Sequence, residues 1–223
     1  MIDVFADRTQ AGRLLAQKVL ALKVVDPIVL ALPRGGVPVA AEVANALHAP
    51  LDLLLVRKIG APAHRELAVA AVAEGPHAQV VIDHETLRMT GATKAYVDRE
   101  AKAELREIVR RRTAYLHDRA ALPVEGKTAI VVDDGIATGT TVRAALQALR
   151  RRNPARLVLA IPVASPDIVA ALRAEVDDLV CLSQPSYFRA VGAHYADFHQ
   201  VSDEEVIRIL DEVRDRDAHS TTI

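Results

Sequence analysis

The sequence is poor in cysteine and in aromatic residues. Its 223 residues include one cysteine and no tryptophan, and aromatic side chains make up only 3% of the chain. A single cysteine excludes an intramolecular disulfide framework, so we expect Cys181 to be a small core residue. Apolar residues still amount to 51%, which predicts a core of alanine, valine, leucine and isoleucine rather than of large rings.

Long apolar runs and a strong net charge are also missing. No uninterrupted apolar run approaches the roughly 20 residues that a membrane-spanning helix needs, and the N-terminal MIDVFADRTQ lacks the apolar region of a secretory signal. The net charge of −1 argues against a whole surface built for nucleic acid. The eight histidines show no spacing typical of a zinc site. These absences predict a soluble, cytoplasmic protein.

Apolar runs alternate with helical patterns along most of the chain. Strands are predicted at residues 28–32, 51–56, 128–133, 157–162 and 178–183, and helices at residues 9–22, 37–47, 142–152, 167–175 and from about 202. Continuous apolar strands alternating with helices are typical of a parallel sheet covered on both faces. The predicted fold is therefore α/β, a Rossmann-like open, mainly parallel sheet flanked by helices.

The alternation breaks between residues 59 and 124. This region holds glycine and proline turn signals, β-like runs at residues 67–73 and 79–82, and a long charged helix pattern at about 94–119. Its core residues are too few for an independent domain. We therefore expect a single domain over residues 1–223, with an insert or flap at about 59–124 and a C-terminal hood or tail at about 184–223.

One stretch combines a strand, paired acids and a loop of small residues. It runs from residue 129 to residue 141 and reads AIVVDDGIATGTT. Gly135 and Gly139 allow a tight turn and close approach to a ligand, and the loop N–H groups and the following helix form an anion site. Asp133 and Asp134 are acceptor-only groups, suited to sugar hydroxyls or a hydrated Mg²⁺. One ligand with both features is a ribose 5-phosphate.

This stretch resembles the 5-phosphoribosyl-1-pyrophosphate (PRPP) binding motif of type I phosphoribosyltransferases. In that motif four apolar residues precede two acids, two variable positions and a Thr-Gly-Thr-Thr loop. Gly135 departs from it, because an aliphatic residue is commoner there. The resemblance implies the phosphoribosyltransferase fold and a Mg²⁺-dependent glycosyltransferase of nucleotide metabolism. Such an enzyme moves the 5-phosphoribosyl group of PRPP to a nitrogen acceptor, such as a nucleobase, and releases pyrophosphate.

The resemblance also implies roles for individual residues. Asp133 and Asp134 would hold the ribose hydroxyls and, through water, the Mg²⁺. Arg57 and Lys58, at the end of the second strand, would act in catalysis by neutralising the pyrophosphate. Asp134 would be the third catalytic residue. Arg34, Gly35 and Gly36, which follow the first core strand, lie where the family's pyrophosphate loop would be. The residues implied in PRPP binding are Arg34, Gly35, Gly36, Asp133, Asp134, Gly135, Ile136, Ala137, Thr138, Gly139, Thr140 and Thr141.

The acceptor is less well specified. Phe188, in SYFRAVGAHYADF (residues 186–198), resembles the aromatic residue that stacks on the base in hypoxanthine–guanine members, although the spacing is not the same. Simple packing is the alternative for this side chain. Ala137 stands where many oxopurine-using members carry an aspartate that handles a proton on the base, which argues against hypoxanthine or guanine as the acceptor.

Several alternatives stay open. Residues 60–74 are expected to form a mobile lid that excludes water, with Arg65 or Glu66 reaching inward. Two arginine runs, residues 110–112 and 150–152, are interpreted as solvated helix ends rather than as an RNA surface. The chain is either an enzyme, with PRPP and a small-molecule acceptor as partners, or a non-catalytic PRPP-sensing module. A homodimer is compatible with both.

Overall fold

The structure is a computed structural model that describes residues 4–65, 67–74, 79–117 and 119–220. Its helices are α1 (Arg8–Leu20), α2 (Gly36–Leu47), α3 (His84–Thr90), α4 (Lys94–Leu116), α5 (Thr140–Arg150), α6 (Pro166–Arg173) and α7 (Asp203–Ser220). Its strands are β1 (Pro27–Ala31), β2 (Leu51–Leu53), β3 (Val56–Gly60), β4 (Ala68–Ala73), β5 (Gln79–Ile82), β6 (Thr128–Val132), β7 (Arg156–Val163) and β8 (Asp178–Ser183). A 3-10 turn spans Val191–His194.

The central sheet has five parallel strands in the order β2–β1–β6–β7–β8. β6 lies in the middle, where Ile130 is paired with Val29 of β1 and with Val158 of β7. Every residue of β6 is buried, as expected for a parallel strand covered on both faces. The predicted parallel sheet flanked by helices is therefore confirmed.

The two faces of the sheet are covered by different helices. Alternate side chains of a strand point to opposite faces, so Ile130 packs in a cluster with residues of α1, α2, α4 and α7. Val131 packs on the other face with residues of α5 and α6. There Leu146 and Leu149 are fully buried, and each contributes roughly 2 kcal/mol of hydrophobic stabilisation. This burial fixes the start of α5 behind the acidic end of β6.

A second, antiparallel sheet has the order β3–β4–β5. The β-like runs predicted in the insert are β4 and β5, but the strand predicted at residues 51–56 is wrong at its C-terminal end. β2 stops at Leu53 because the backbone then changes partner. Leu54 N still donates to Ala31 O of the central sheet (2.9 Å), whereas Leu55 O accepts from Glu74 N (3.0 Å).

The segment predicted as a lid, residues 60–74, consists of the end of β3, the connection to β4 and β4 itself. Its turn is closed by Ala61 N, which donates to Leu67 O at 2.8 Å. Arg65 is exposed and approaches Glu100 of α4 at 3.8 Å, while Glu66 lies outside the described residues. α3 was not predicted. Its start is fixed by Asp83, whose carboxylate accepts from the N–H groups of Glu85 and Thr86.

One of the two arginine runs contains a buried bridge. The Arg112 guanidinium, 16% exposed, lies between two buried carboxylates, with Nη1 2.9 Å from Glu74 Oε1 and Oε2 and Nη2 3.1 Å from Asp52 Oδ1 and Oδ2. Burial raises the pKa of Glu74 and the charge of Arg112 opposes that rise. The interpretation of this run as a solvated helix end is therefore wrong for Arg112, which ties α4 to both sheets. None of the helices in the described ranges combines the length and apolar character that a bilayer crossing requires.

Candidate functional site

The turn after β1, residues 34–36, meets the paired acids Asp133 and Asp134 where strands β1 and β6 end. The turn after β1 is held by Leu32 N, which donates to Val132 O at 2.9 Å. A β-carbon at Gly35 would overlap Asp134 Oδ2, and one at Gly36 would lie 2.7 Å from Val132 O. Only glycine permits this approach, so the predicted pyrophosphate loop lies directly against the predicted sugar-binding acids.

The two acids have unequal surroundings. Asp133 Oδ1 accepts from Asp134 N at 2.9 Å, and Asp133 makes no ion pair with a described residue. Burial raises the pKa of Asp133 well above its usual range, and the neighbouring charge of Asp134 raises it further. Burial also raises the pKa of Asp134, against the opposing hydrogen bond and charge of Arg8. The ionised form of the pair is therefore unfavourable on its own, and a bound cation or a hydroxyl donor would stabilise it.

Arg8 is a site residue that sequence reasoning missed. This side chain is buried at the start of α1, and its Nε donates to Asp134 Oδ2 at 2.8 Å. Its Nη1 donates to His199 O at 2.8 Å, and its guanidinium carbon lies 3.9 Å from the centre of the Phe198 ring. The helix pattern predicted for α1 began at residue 9, and no local signal distinguishes a buried arginine at its first turn.

The C-terminal segment, residues 184–202 between β8 and α7, contacts the same acid. Tyr195 OH donates to Asp134 O at 2.5 Å, and the Tyr195 ring packs against Phe5 and Phe198. Of the aromatic residues in this part of the chain, the sequence connected only Phe188 to the site. A cleft of about 370 Å³ lies beside Asp134. It is lined by Arg8, Arg34, Gly35, Asp134 and residues 198–201.

The loop after Asp134 has the geometry of an anion site. Ile136 is buried and its N–H donates to Val163 O at 3.0 Å, which anchors the loop. Ala137, Thr138 and Thr140 are exposed. Gly139 has a φ of +74° and precedes α5, whose first N–H groups have no intrahelical acceptors. These donors lie at the positive end of the helix dipole.

The departure at Gly135 has a packing explanation. A β-carbon there would lie 2.6 Å from Val191 Cγ1 and 2.9 Å from Val163 Cγ1. Val191 belongs to the C-terminal segment, so this segment occupies the space that an aliphatic residue at position 135 would need.

Arg34 is held by a contact between distant parts of the chain. Its Nη1 lies 3.3 Å from Asp203 Oδ1, at the start of α7, and Tyr115 OH of α4 donates to the same oxygen at 2.7 Å. The Arg34 side chain remains one-third exposed and lines the cleft. A fixed cation thus stands beside the Gly35–Asp134 contact.

The structure does not place Arg57 and Lys58 at the end of a central strand, as the sequence predicted. Both lie within β3 of the second sheet, because the central strand ends early at Leu53. Arg57 Nε forms an ion pair with Glu104 Oε2 of α4 at 2.7 Å. Lys58 is exposed and points to the opposite face of its strand. Their catalytic role stays a prediction.

Phe188 lies in the C-terminal segment and stacks on His194, with ring centroids 5.3 Å apart and an interplanar angle of 19°. It also packs against the cluster of Phe5, Val163 and Tyr195. The packing is observed, and the predicted contact with an acceptor stays a prediction.

The residues present fit a magnesium ion only in part. Within the described ranges, no three His, Cys, Asp or Glu side chains gather closely enough to hold a metal ion. Mg²⁺ is often bound through one or two carboxylates, with waters and substrate oxygens completing its shell. Asp133 has a carboxylate without a cationic partner and fits that pattern, whereas Asp134 already has Arg8.

Known proteins are similar to this chain in sequence and in structure. A family profile described as "Phosphoribosyl transferase domain" matches residues 7–197. A Mycobacterium tuberculosis protein, provisionally named a phosphoribosyl transferase, is 44% identical over 210 residues, which cover 94% of this chain and 47% of that protein. The chain thus spans about half the length of the curated relatives it matches. The crystal structure of TT1426 from Thermus thermophilus is 44% identical, with a TM-score of 0.83 and coverage of 94% of this chain and 98% of that one.

Proposed function

Because the chain belongs to the phosphoribosyl transferase domain family, we propose that it transfers the 5-phosphoribosyl group of PRPP to a nitrogen acceptor, with release of pyrophosphate. The observation that carries this proposal is the contact between Gly35 and the carboxylate of Asp134. In this contact the loop suited to pyrophosphate, residues 34–36, meets the two acids suited to ribose. The anion loop, residues 135–141, follows those acids in the chain.

Each part of the donor has a matching group. The N–H groups at the start of α5 and the exposed hydroxyls of Thr138 and Thr140 suit the 5-phosphate. The carboxylates of Asp133 and Asp134 suit the ribose hydroxyls, because an ionised carboxylate only accepts hydrogen bonds. The distance between these groups along the sheet edge is set by β6 and its loop, so the ribose would be held from both ends.

The leaving pyrophosphate suits the opposite side of the acids. There the turn of Arg34, Gly35 and Gly36 brings backbone and one cation to the carboxyl end of β1. Arg34 would have to exchange its 3.3 Å contact with Asp203 for the ligand, which is inexpensive because both side chains are partly exposed. A bound Mg²⁺ would add positive charge to the pyrophosphate, with Asp133 as the carboxylate best placed to hold its water shell.

The chain contributes to the reaction mainly by position and charge. Displacement at ribose C1 develops positive charge on the sugar, and carboxylates that face the ribose stabilise it. Holding donor and acceptor together removes most of the entropy cost of a two-substrate reaction. Lys58 of β3 is better placed than Arg57 to add a cation, because Arg57 is already paired with Glu104.

The direct test measures pyrophosphate released from PRPP and Mg²⁺ across a panel of nucleobases. Release with one base and not with the others supports the transferase and identifies the acceptor. Tight binding of PRPP without turnover for any base would favour the sensing module. Failure to bind PRPP at all, in a protein shown to be folded, would overturn both.

A further inference from the structure

We propose that Arg8 is a positioning residue for the sugar-binding carboxylate of Asp134, and that the N-terminal helix α1 is thereby part of the donor site. This inference rests on the proposed function, because it assigns a partner to a residue of that site. It adds a residue that lies 126 positions away in sequence and outside the recognised motif.

The Arg8 guanidinium makes three contacts that fix its position. Its Nε is bonded to Asp134 Oδ2, its Nη1 to the carbonyl of His199, and its planar face lies on Phe198. The side chain is only 7% exposed. A planar guanidinium fork fixes the direction of each hydrogen bond, so Asp134 can adopt few orientations while Arg8 is in place.

The contrast with Arg13 on the same helix is informative. Arg13 Nε lies 3.2 Å from Glu42 Oε2, and its side chain is 69% exposed. Such a surface pair contributes little to stability or to shape. α1 therefore carries one arginine that is built into the site and one that is not, and the second serves as a matched control.

Two like charges stand side by side at Asp133 and Asp134. Arg8 places a positive charge 2.8 Å from Asp134 Oδ2, which reduces the repulsion between the two acids when both are ionised. It also engages Oδ2 of Asp134 and leaves Oδ1 as the remaining acceptor for a ribose hydroxyl. Without the guanidinium, repulsion between the acids would turn the Asp134 carboxylate away from its place.

Arg8 also fastens the C-terminal segment to the acids. The His199 carbonyl and the Phe198 ring contact Arg8, and Tyr195 OH contacts Asp134 O. The positioned carboxylate, α1 and residues 195–199 therefore form one connected group. Loss of Arg8 is expected to weaken contacts to the sugar more than contacts to the pyrophosphate, which lie on the side of Arg34 and Gly36.

The test uses isothermal titration of the full chain with three probes: PRPP with Mg²⁺, ribose 5-phosphate, and inorganic pyrophosphate with Mg²⁺. Arg8→Ala should weaken binding of PRPP and of ribose 5-phosphate by at least about 30-fold, and binding of pyrophosphate by less than about threefold. Arg8→Lys should fall between wild type and Arg8→Ala, because lysine keeps the charge without the planar fork. Arg13→Ala should bind all three probes as wild type does.

Chemical rescue adds a readout that a purely structural role would not produce. Arg8 lines the open cleft, so millimolar guanidinium should enter the space left in Arg8→Ala and restore part of the PRPP affinity. Equal affinity of Arg8→Ala and Arg13→Ala for PRPP would overturn the inference, as would an equal loss for pyrophosphate and ribose 5-phosphate.

Two further outcomes keep the test decisive. If Arg8→Ala does not fold, Arg8→Lys carries the comparison, and wild-type affinity for ribose 5-phosphate in that variant would overturn the inference. If the wild-type protein binds neither PRPP nor ribose 5-phosphate, the proposed function fails first and the inference falls with it. A failure of the inference alone shows as intact binding in the wild type with no difference between the Arg8 and Arg13 variants.

Discussion

Asp133 and Asp134 are neighbours in sequence but have different electrostatic surroundings. Asp134 is compensated by a buried arginine at 2.8 Å, whereas Asp133 is partly buried next to a like charge and makes no ion pair with a described residue. An uncompensated charge that is partly removed from water costs stability. A protein retains such a group where a ligand compensates for it, so Asp133 is the residue at which stability and ligand binding oppose each other.

Replacing Asp133 by asparagine removes this charge and keeps the size of the side chain. We expect Asp133→Asn to leave the free energy of unfolding unchanged or higher, and to lower the affinity for PRPP at least about tenfold. Urea denaturation measures the first quantity and isothermal titration the second. A clear loss of stability in Asp133→Asn would contradict the view that its charge is uncompensated.

Asparagine at position 134 should behave differently. Asp134→Asn leaves Arg8 buried without a carboxylate, which should lower the free energy of unfolding by about 3 kcal/mol. The same urea denaturation, run beside Asp133→Asn, gives the difference. Equal stability of the two variants would show that Arg8 does not depend on Asp134.

At the level of elements, the C-terminal segment packs closely against the anion loop of residues 135–141. Val191 stands where a β-carbon on Gly135 would lie, so the loop and the segment have matched shapes. The second sheet is attached in a different way, through apolar residues such as Ile59 and Val72 in the shared core and through Arg112.

The match between loop and segment predicts a compensating pair of substitutions. Gly135→Ala alone should destabilise the protein by about 1–3 kcal/mol through overpacking. Val191→Ala in the same chain should recover part of that loss, because it removes the nearer of the two methyl groups. Thermal unfolding of the two single variants and the double variant forms a double-mutant cycle, and strict additivity would contradict the predicted contact.

The attachment of α4 depends on one arginine of the 110–112 run. Arg112→Met should lower the free energy of unfolding by about 3–5 kcal/mol, since it leaves the carboxylates of Asp52 and Glu74 buried without a cation. Arg110, 64% exposed and paired with Glu107, provides the control: Arg110→Met should change the same quantity by less than about 0.5 kcal/mol. Similar effects in urea denaturation would mean that the buried bridge is not structural.

For the whole molecule, the two predicted anion sites lie on strands of one sheet. β1 carries the Arg34–Gly36 turn and β6 carries the 135–141 loop, and the two strands are paired in register from end to end. A ligand with anions at both ends therefore meets a site whose parts are already at a fixed separation, which reduces the ordering cost of binding.

This arrangement predicts that PRPP stabilises the fold more than either of its halves. A ligand that binds only the folded state adds about 2.7 kcal/mol at one hundred times its Kd. In a thermal-shift experiment at equal concentrations, with Mg²⁺ throughout, the shift for PRPP should exceed the shifts for ribose 5-phosphate and for pyrophosphate. A shift for PRPP no larger than that for pyrophosphate would mean that the 135–141 loop does not take part.

Much of the architecture could be predicted from local patterns. Strands buried on both faces appear as continuous apolar runs, so the central sheet and the helices around it were predicted with small errors at their ends. The error at β2 arose because Leu51–Val56 is largely apolar, and nothing local shows that the hydrogen-bond partner changes at Leu55. Local patterns in the insert predicted its strands, but they did not show that these strands form a separate sheet.

The sequence by itself determined the α/β fold and the strand, acid and loop motif of residues 129–141, because apolar runs, glycines, hydroxyls and paired acids at fixed spacing are local features of the chain. Tertiary structure alone decided which acid is compensated, since Arg8 and Asp134 are 126 positions apart and meet only when α1 and β6 pack together. It also decided that Gly35 contacts Asp134 and that Arg57 is paired with Glu104. Contacts between distant segments depend on how elements pack, and no local pattern of residues encodes them.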